Sequence, residues 1–520
     1  MRRSLSSASG AVLLIQTLFI LFLLLKEAKC SSSRVQFQLY EFQRKLHQHK
    51  TSFSSFPAPT PKMPPSYNTC EFSLSPKSNG RVFYPIGYGA DPSGGHDSAS
   101  AIYDALLDAA KHGKRPDFFL LPGITDLGGV IIDLQGGDFR VDRPIRFPPG
   151  IGNIVVQGGT LRASAKFPGD RHLIELWAPD STTTRKHSNT KTTGDIFSNR
   201  KDRNNDGMKY EDITFRDILF DSGFRGGGLL VIDSIRIRIV DCFFIRFTTQ
   251  GIMVKRGHET FVSGCFLGQH LTDGGDPDEK HYTGAGIDIA STDNAITDVA
   301  VFSARIGIVL RGNANVVTGV HCYNKANGFG GVGILVQSAQ NRITNPYLDF
   351  NSIVIEDPHQ VHVSGGFFIG GGNIVLKSSI MGRISGLNII NNMFTGGMDD
   401  SVPSVVLKGS FGSIDQVVVD QNVVDGMRLK STVAKLRALP VGMNGTRWKA
   451  DFSSILLFPD KINHVEYSFF VRGGGDGGFP DTHAVTNVSS NVVVIESQRA
   501  VSAVVSVSVD QYNLIGEEKL

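Results

Sequence analysis

The sequence predicts an all-β chain wound as a right-handed parallel β-helix, with an N-terminal capping helix and a β-rich C-terminal region. Three observations lead there. The 520 residues include 58 glycines, and only 19% are charged. Glycine is costly inside helices and serves tight corners and close backbone approaches, so this composition favours many short strands. Aliphatic strand cores begin at positions 229, 251, 286, 307, 333, 353 and 374, recurring every 20 to 26 residues apart from one interval of 35. Each unit also carries a second short strand, as in IVDCFF, ITDVAVF and VTGVHCY. A period near 20 residues with two or three strands per unit is the pattern of stacked coils. An antiparallel sandwich would not need the same apolar columns at a fixed offset.

Taken in order, Arg2 and Arg3 precede an apolar run over residues 11–25 that Lys26 and Glu27 end. That run falls short of the roughly 20 residues a bilayer span needs. It reads as a secretory signal peptide over residues 1–30, with small residues Ala28 and Cys30 at the cleavage site, so secretion is expected and no membrane attachment after cleavage. Residues 31–79 form a flexible segment that includes a Pro/Ser-rich stretch at 51–66. A helix then follows, capped by Asp97 or Ser98, with Ile102, Leu106 and Ala109 or Ala110 as its apolar face and Gly113 as its stop. The coils occupy residues 80–400. Residues 401–520 are less regular, and segments such as SNVVVIES and AVVSVSVDQYN suggest a β-rich cap or small domain over the open end of the stack. Sequons at Asn444 and Asn487 predict glycosylation there.

Lys and Arg number 52 against 49 Asp and Glu, a net charge of +3, which excludes electrostatic binding to nucleic acid. Cleavage would leave Cys70, Cys242, Cys265 and Cys322, with no CxxC spacing, so neither a metal site nor a cofactor is expected. Cys242 and Cys265 lie about one coil apart; spacing does not say whether they are bonded.

Period-two alternation points Ile252/Val254, Ile287/Ile289, Ile308/Leu310, Ile334/Val336, Ile353/Ile355 and Ile374/Leu376 inward. The alternate positions face out and align Lys255, Arg311, Gln337, Glu356 and Lys377 as a polar line. At about 4.8 Å per rung, six rungs span roughly 25 Å. A long groove with cations and a few acids suits an acidic polysaccharide, bound by a monomer. Residues 271–283 interrupt the repeat with Asp273, Asp276, Asp278, Glu279 and His281, and long insertions in repeat proteins gather on the functional face.

From YGADPSGGHDSASAI onward the chain resembles the pectin-lyase-like β-helix superfamily and the family 28 glycoside hydrolases that cut polygalacturonan. FSARIG, GVHCYNKANGFGG, NPYLDF, VIEDP, LLFPD and NHVEY are similar to the plant quartet-type polygalacturonases. These open the pectin of the pollen mother cell wall so that microspores separate. The resemblance covers about residues 80 to 515 and implies a β-helix, a pectin substrate and a cell-wall location. It does not carry the catalytic residues of the wider family. Ala285 stands where the NTD motif has its Asp, Ala304-Arg305 replaces the Asp pair, and Gly331-Val332-Gly333 replaces Gly-His-Gly.

The catalytic groups must therefore be sought elsewhere. Glycoside hydrolysis needs a proton donor and a second carboxylate, roughly 5–5.5 Å apart in retaining enzymes and 6.5–9.5 Å in inverting ones. Asp288 and Glu356 sit three rungs apart, too far for either. The leading expectation makes Glu356 the acid or base, with Asp349, Asp357, Asp276 or Glu279 as partner. Lys255, Arg305, Arg311, Gln337 and Lys377 would bind substrate carboxylates, and His321 would bind substrate or carry a proton. Two other functions remain open: β-elimination of uronans, and non-catalytic binding to the wall.

Overall fold

Aliphatic pairs at period two organise the molecule. Ile287/Ile289, Ile308/Leu310, Ile334/Val336, Ile353/Ile355 and Ile374/Leu376 all have 0% exposure, stacked rung on rung inside the coils. The computed structural model describes residues 76–112, 120–182, 207–269, 282–323, 331–397, 401–441, 445–472 and 482–512. Residues 1–30, nearly all of 31–79, Asp276, Glu279 and Asn444 lie outside the described residues.

Among the described residues thirty strands join one sheet system, and every coil pairing is parallel to the next coil, as a right-handed parallel β-helix requires. Each regular coil has three walls. Sheet A holds Ala285–Thr292, Ile306–Leu310, Val332–Val336, Ser352–Glu356, Ile374–Lys377 and Val405–Lys408. Sheet B holds Ala295–Thr297, Val316–Thr318, Arg342–Thr344 and His362–Ser364. Sheet C holds Phe243–Ile245, Phe266–Gly268, Ala300–Phe302, His321–Tyr323, Tyr347–Asp349, Phe367–Ile369, Met393–Thr395 and Val423–Asp425. The coils thus continue past residue 400 to Asp425, because Val405–Lys408 and residues 418–420 still pair in register with the coil before.

The corners explain the glycines and asparagines. Gly319 has φ +63°, and a Cβ there would lie 2.6 Å from Asp298 Oδ1, a clash that only glycine avoids. Between sheets A and B, buried asparagines form a ladder: Asn294 N–H donates to Asn315 Oδ1 and Asn315 N–H to Asn341 Oδ1, both at 3.0 Å. Each side chain satisfies a backbone donor of the coil before, so the turns stay buried without orphaned groups.

Helix α1, Ala99–His112, packs Ile102, Leu106 and Ala109 against the first strands and caps that end. At the other end six antiparallel strands run from Val433–Pro440 to Ala503–Asp510 around a core of Trp448, Phe452, Ile495 and Val507. Leu457 and Phe458 reach from this region into the coil core. Cys242, Cys265 and Cys322 are free and buried; burial pushes the Cys242 thiol up, and Cys265 beside it adds to the effect. Among the described residues no helix is long and apolar enough to cross a membrane.

Candidate functional site

Two outward faces carry the sequence-predicted site residues. On sheet A the register follows the expected polar line: Lys255 pairs with Ala290, and the residues after Ile289, Leu310, Val336 and Ile355 fall in the same column, ending in Glu356, Lys377 and Lys408. The line is not a free cationic groove, however. Arg311 holds Asp288 with Nε at 2.9 Å and Nη2 at 3.1 Å and also donates to Gln337. Gln337 Nε2 donates to Glu356 Oε2 at 2.8 Å, and Lys377 Nζ to Glu356 Oε1 at 2.7 Å. Asp288 alternates with the inward Ile287 and Ile289 and so lies on the outer side, yet it is only 4% exposed under that arginine. Rungs about 4.8 Å apart let every long side chain reach the next, so the charges neutralise one another.

Partial burial alone would raise the Glu356 carboxyl pKa, but the hydrogen bonds from Lys377 and Gln337 outweigh it and the net shift is downward. A carboxylate held ionised with both oxygens engaged suits an anchor or a base and is poorly suited to protonating a leaving oxygen. Asp357 has φ 43° and accepts backbone N–H donors from Ser379 and Gly382 at 3.0 Å and Met381 at 2.8 Å. Burial opposes its ionisation, those donors together with the Ile380 N–H outweigh it, and its pKa is lowered. Its oxygens tie down the 378–382 loop.

Asp349 does not join Glu356. It ends a sheet C strand, whereas Glu356 lies at the far end of Ser352–Glu356, whose five residues alone span roughly 13 Å. The proposed pairing of these two acids therefore fails on distance, because neither hydrolytic geometry reaches that far. Asp349 instead meets His321, with Oδ2 at 3.1 Å from Nε2 and both side chains 17% exposed. Tyr347 and Phe302 flank that imidazole, with ring centroids at 4.4 and 5.3 Å.

The pair sits in an aromatic row that the sequence reading missed. Phe266 packs edge-on to Phe302 at 5.5 Å, and Tyr347 stacks on Phe367 at 5.4 Å. Phe302 also meets Tyr323 at 5.6 Å. The signal was present: aligning the three-residue strands FLG, AVF, HCY, YLD and FFI by their middle, inward residue exposes a first column rich in rings. Arg305 is exposed at the corner where sheet C gives way to sheet A. Ala285, Arg305 and Gly331 share that corner, since Ala285 pairs with Ile306 and Ile306 with Val332. The inserted segment also departs there, its ends clamped where Gln269 Nε2 donates to Thr283 O at 2.7 Å.

Three other buried acids are committed to arginines, Glu175 to Arg146 and Arg171, Glu211 to Arg236, and Asp221 to Arg246, while buried Asp126 accepts from Gly128 N–H and Asn153. Among the described residues, no group of three or more His, Cys, Asp or Glu side chains is placed to hold a metal ion. Asn487 is exposed, with Nδ2 at 3.2 Å from the Ser489 hydroxyl of its own sequon.

Fold and faces together define a right-handed parallel β-helix protein with two decorated flanks. No family model matches the chain. It is 47% identical over 442 residues to Polygalacturonase QRT3 of Arabidopsis thaliana, covering 83% of this chain and 84% of the relative. The chain belongs to the family of that plant polygalacturonase. Solved structures similar to it include the Dettilon tailspike protein, with TM-score 0.47, 10% identity and coverage of 83% of this chain and 95% of that one. Another is endo-xylogalacturonan hydrolase from Aspergillus tubingensis, with TM-score 0.43, 13% identity and coverage of 66% and 92%.

Proposed function

We propose that the protein is a polygalacturonase, a glycoside hydrolase cutting the α-1,4-galacturonan backbone of pectin. The observation that carries this reading is its 47% identity, across 83% of the chain, to a protein named as a polygalacturonase. The finer reading is a secreted, monomeric glycoprotein of the plant cell wall, modified at Asn444 and Asn487, that acts in pollen mother cell wall breakdown and microspore separation. Its support is the leader-like N-terminus, the sequons and the motifs shared with quartet-type enzymes.

Hydrolysis requires proton donation to the leaving oxygen and removal of a proton from the attacking water. Asp349 is the acid assigned first, because it lies beside His321 on an outward face and has no backbone loop to hold. Asp276 and Glu279 of the inserted segment are the assigned partners. Glu356 ranks behind them because Lys377 and Gln337 occupy it, and Asp357 ranks last because three backbone donors do.

The test is purified protein on polygalacturonate. New reducing ends without unsaturated uronide absorbance, unaffected by a chelator, are expected. Chelator-sensitive absorbance would indicate β-elimination, and pectin retained but never shortened would indicate a binding protein. Asp349→Asn is expected to lower kcat by about 100-fold or more, the usual weight of an acid-base group, with the melting temperature unchanged.

A further inference from the structure

The outward face of sheet C carries a row rich in rings, set outside the middle residues that fill the core. Phe243, Phe266, His321, Tyr347 and Phe367 share one position in six successive coils, with Ala300 the single small residue among them. Met393 and Val423 continue the column and are 47% and 61% exposed. The core is filled by the middle residue of each strand, such as Phe244, Leu348 and Phe368, all 0% exposed. The outer rings are half-buried and supplementary to it. A row of rings of this length on an outer face is the kind of surface that binds a ligand.

Its regularity indicates the occupant. The six coils from Phe243 to Phe367 span roughly 24 Å in a straight line, which fits a linear polymer with a repeating apolar face. Pyranose rings present such faces in their C–H groups while their hydroxyls need polar partners. The row supplies both kinds of contact, with hydroxyl-bearing Tyr323 and Tyr347 and the His321–Asp349 couple set among the rings. Charge agrees as well. Exposed Arg305 stands at the corner bordering this face, and the nearby acid Asp349 is already met by His321. On sheet A, by contrast, Arg311 and Lys377 are already bonded to acids.

We propose that the outward face of sheet C is the docking track for an acidic pyranose polymer, held by ring contacts and oriented by Arg305, and that sheet A is a structural ladder. The identity of the polymer as galacturonan rests on the proposed function. The test is calorimetric titration of the whole protein with oligogalacturonides long enough to cross six coils. Tyr347→Ala and Phe367→Ala are each expected to weaken binding roughly 10-fold, the weight of one stacking contact, while Tyr347→Phe keeps most of the affinity. Lys408→Ala, at the end of the sheet A line, is expected to bind as the parent does. Parent-like affinity in both ring variants, with unfolding midpoints unchanged, would overturn the proposal. So would a parent dimer in sedimentation that Phe367→Ala dissociates, since a second copy would then own the face. Ring-dependent binding without new reducing ends would leave the track standing and remove the hydrolase reading. Hydrolysis with unchanged KM in the ring variants would do the reverse.

Discussion

Sheets A and C are flanks of the same coils, built on the same period-two alternation, yet their outer surfaces differ in kind. On sheet A, Asp288, Arg311, Gln337, Glu356 and Lys377 bond to one another in sequence. On sheet C, rings from successive coils surround one His–Asp couple. Stacking at about 4.8 Å brings each outward side chain against the residue one coil away, so complementary charges consume each other while aromatic neighbours leave an apolar surface facing solvent. A line of charge in a repeat protein is therefore weak evidence for a ligand until its internal partners are known.

The largest effect expected separates the inner and outer sides of sheet C. Phe368 is fully buried and stacks on Phe394 at 4.5 Å. Phe368→Ala should cost about 3–5 kcal/mol in urea unfolding, as buried aromatic truncations do. Its neighbour Phe367→Ala should cost about 1 kcal/mol, the worth of one ring contact, while carrying the binding defect. Similar costs for the two would erase the distinction between core and track.

On sheet A, Asp357→Ala removes the acceptor for three backbone donors. It should destabilise by about 1–3 kcal/mol and speed hydrogen exchange at Ser379, Met381 and Gly382, while leaving exchange on sheet C unaltered. Glu356→Gln should do less, no more than about 1 kcal/mol, because Lys377 is 42% exposed. Its pH dependence has a definite sign. The folded pKa of Glu356 lies below its ordinary value of 4.5, so its contribution is full above that value and is lost as pH falls below it. Acid unfolding of Glu356→Gln should consequently be slightly flatter than that of the parent. An equal or steeper acid limb would contradict the ladder.

The coils were legible because burial leaves a period that sequence spacing records directly: Ile308/Leu310 and Ile353/Ile355 sit inward as the alternation requires. The polar column on sheet A was legible for the same reason. Its pairing was not, since whether Arg311 meets a sugar carboxylate or Asp288 depends on side-chain reach across rungs, which spacing does not encode. Asp349 was expected near Glu356 because it precedes the same rung, but Glu356 lies at the far end of the extended strand Ser352–Glu356, which turns a short separation in sequence into a long distance. The rings of sheet C were not legible as an outer row, because a three-residue strand offers too few alternations to tell inside from outside.

The most direct test of sheet C as the working face is a structure of the protein with a bound oligogalacturonide. The account predicts sugar rings lying over Phe266, His321 and Tyr347, with a carboxylate turned toward Arg305. Density running along Arg311, Gln337 and Lys377, with sheet C bare, would contradict it.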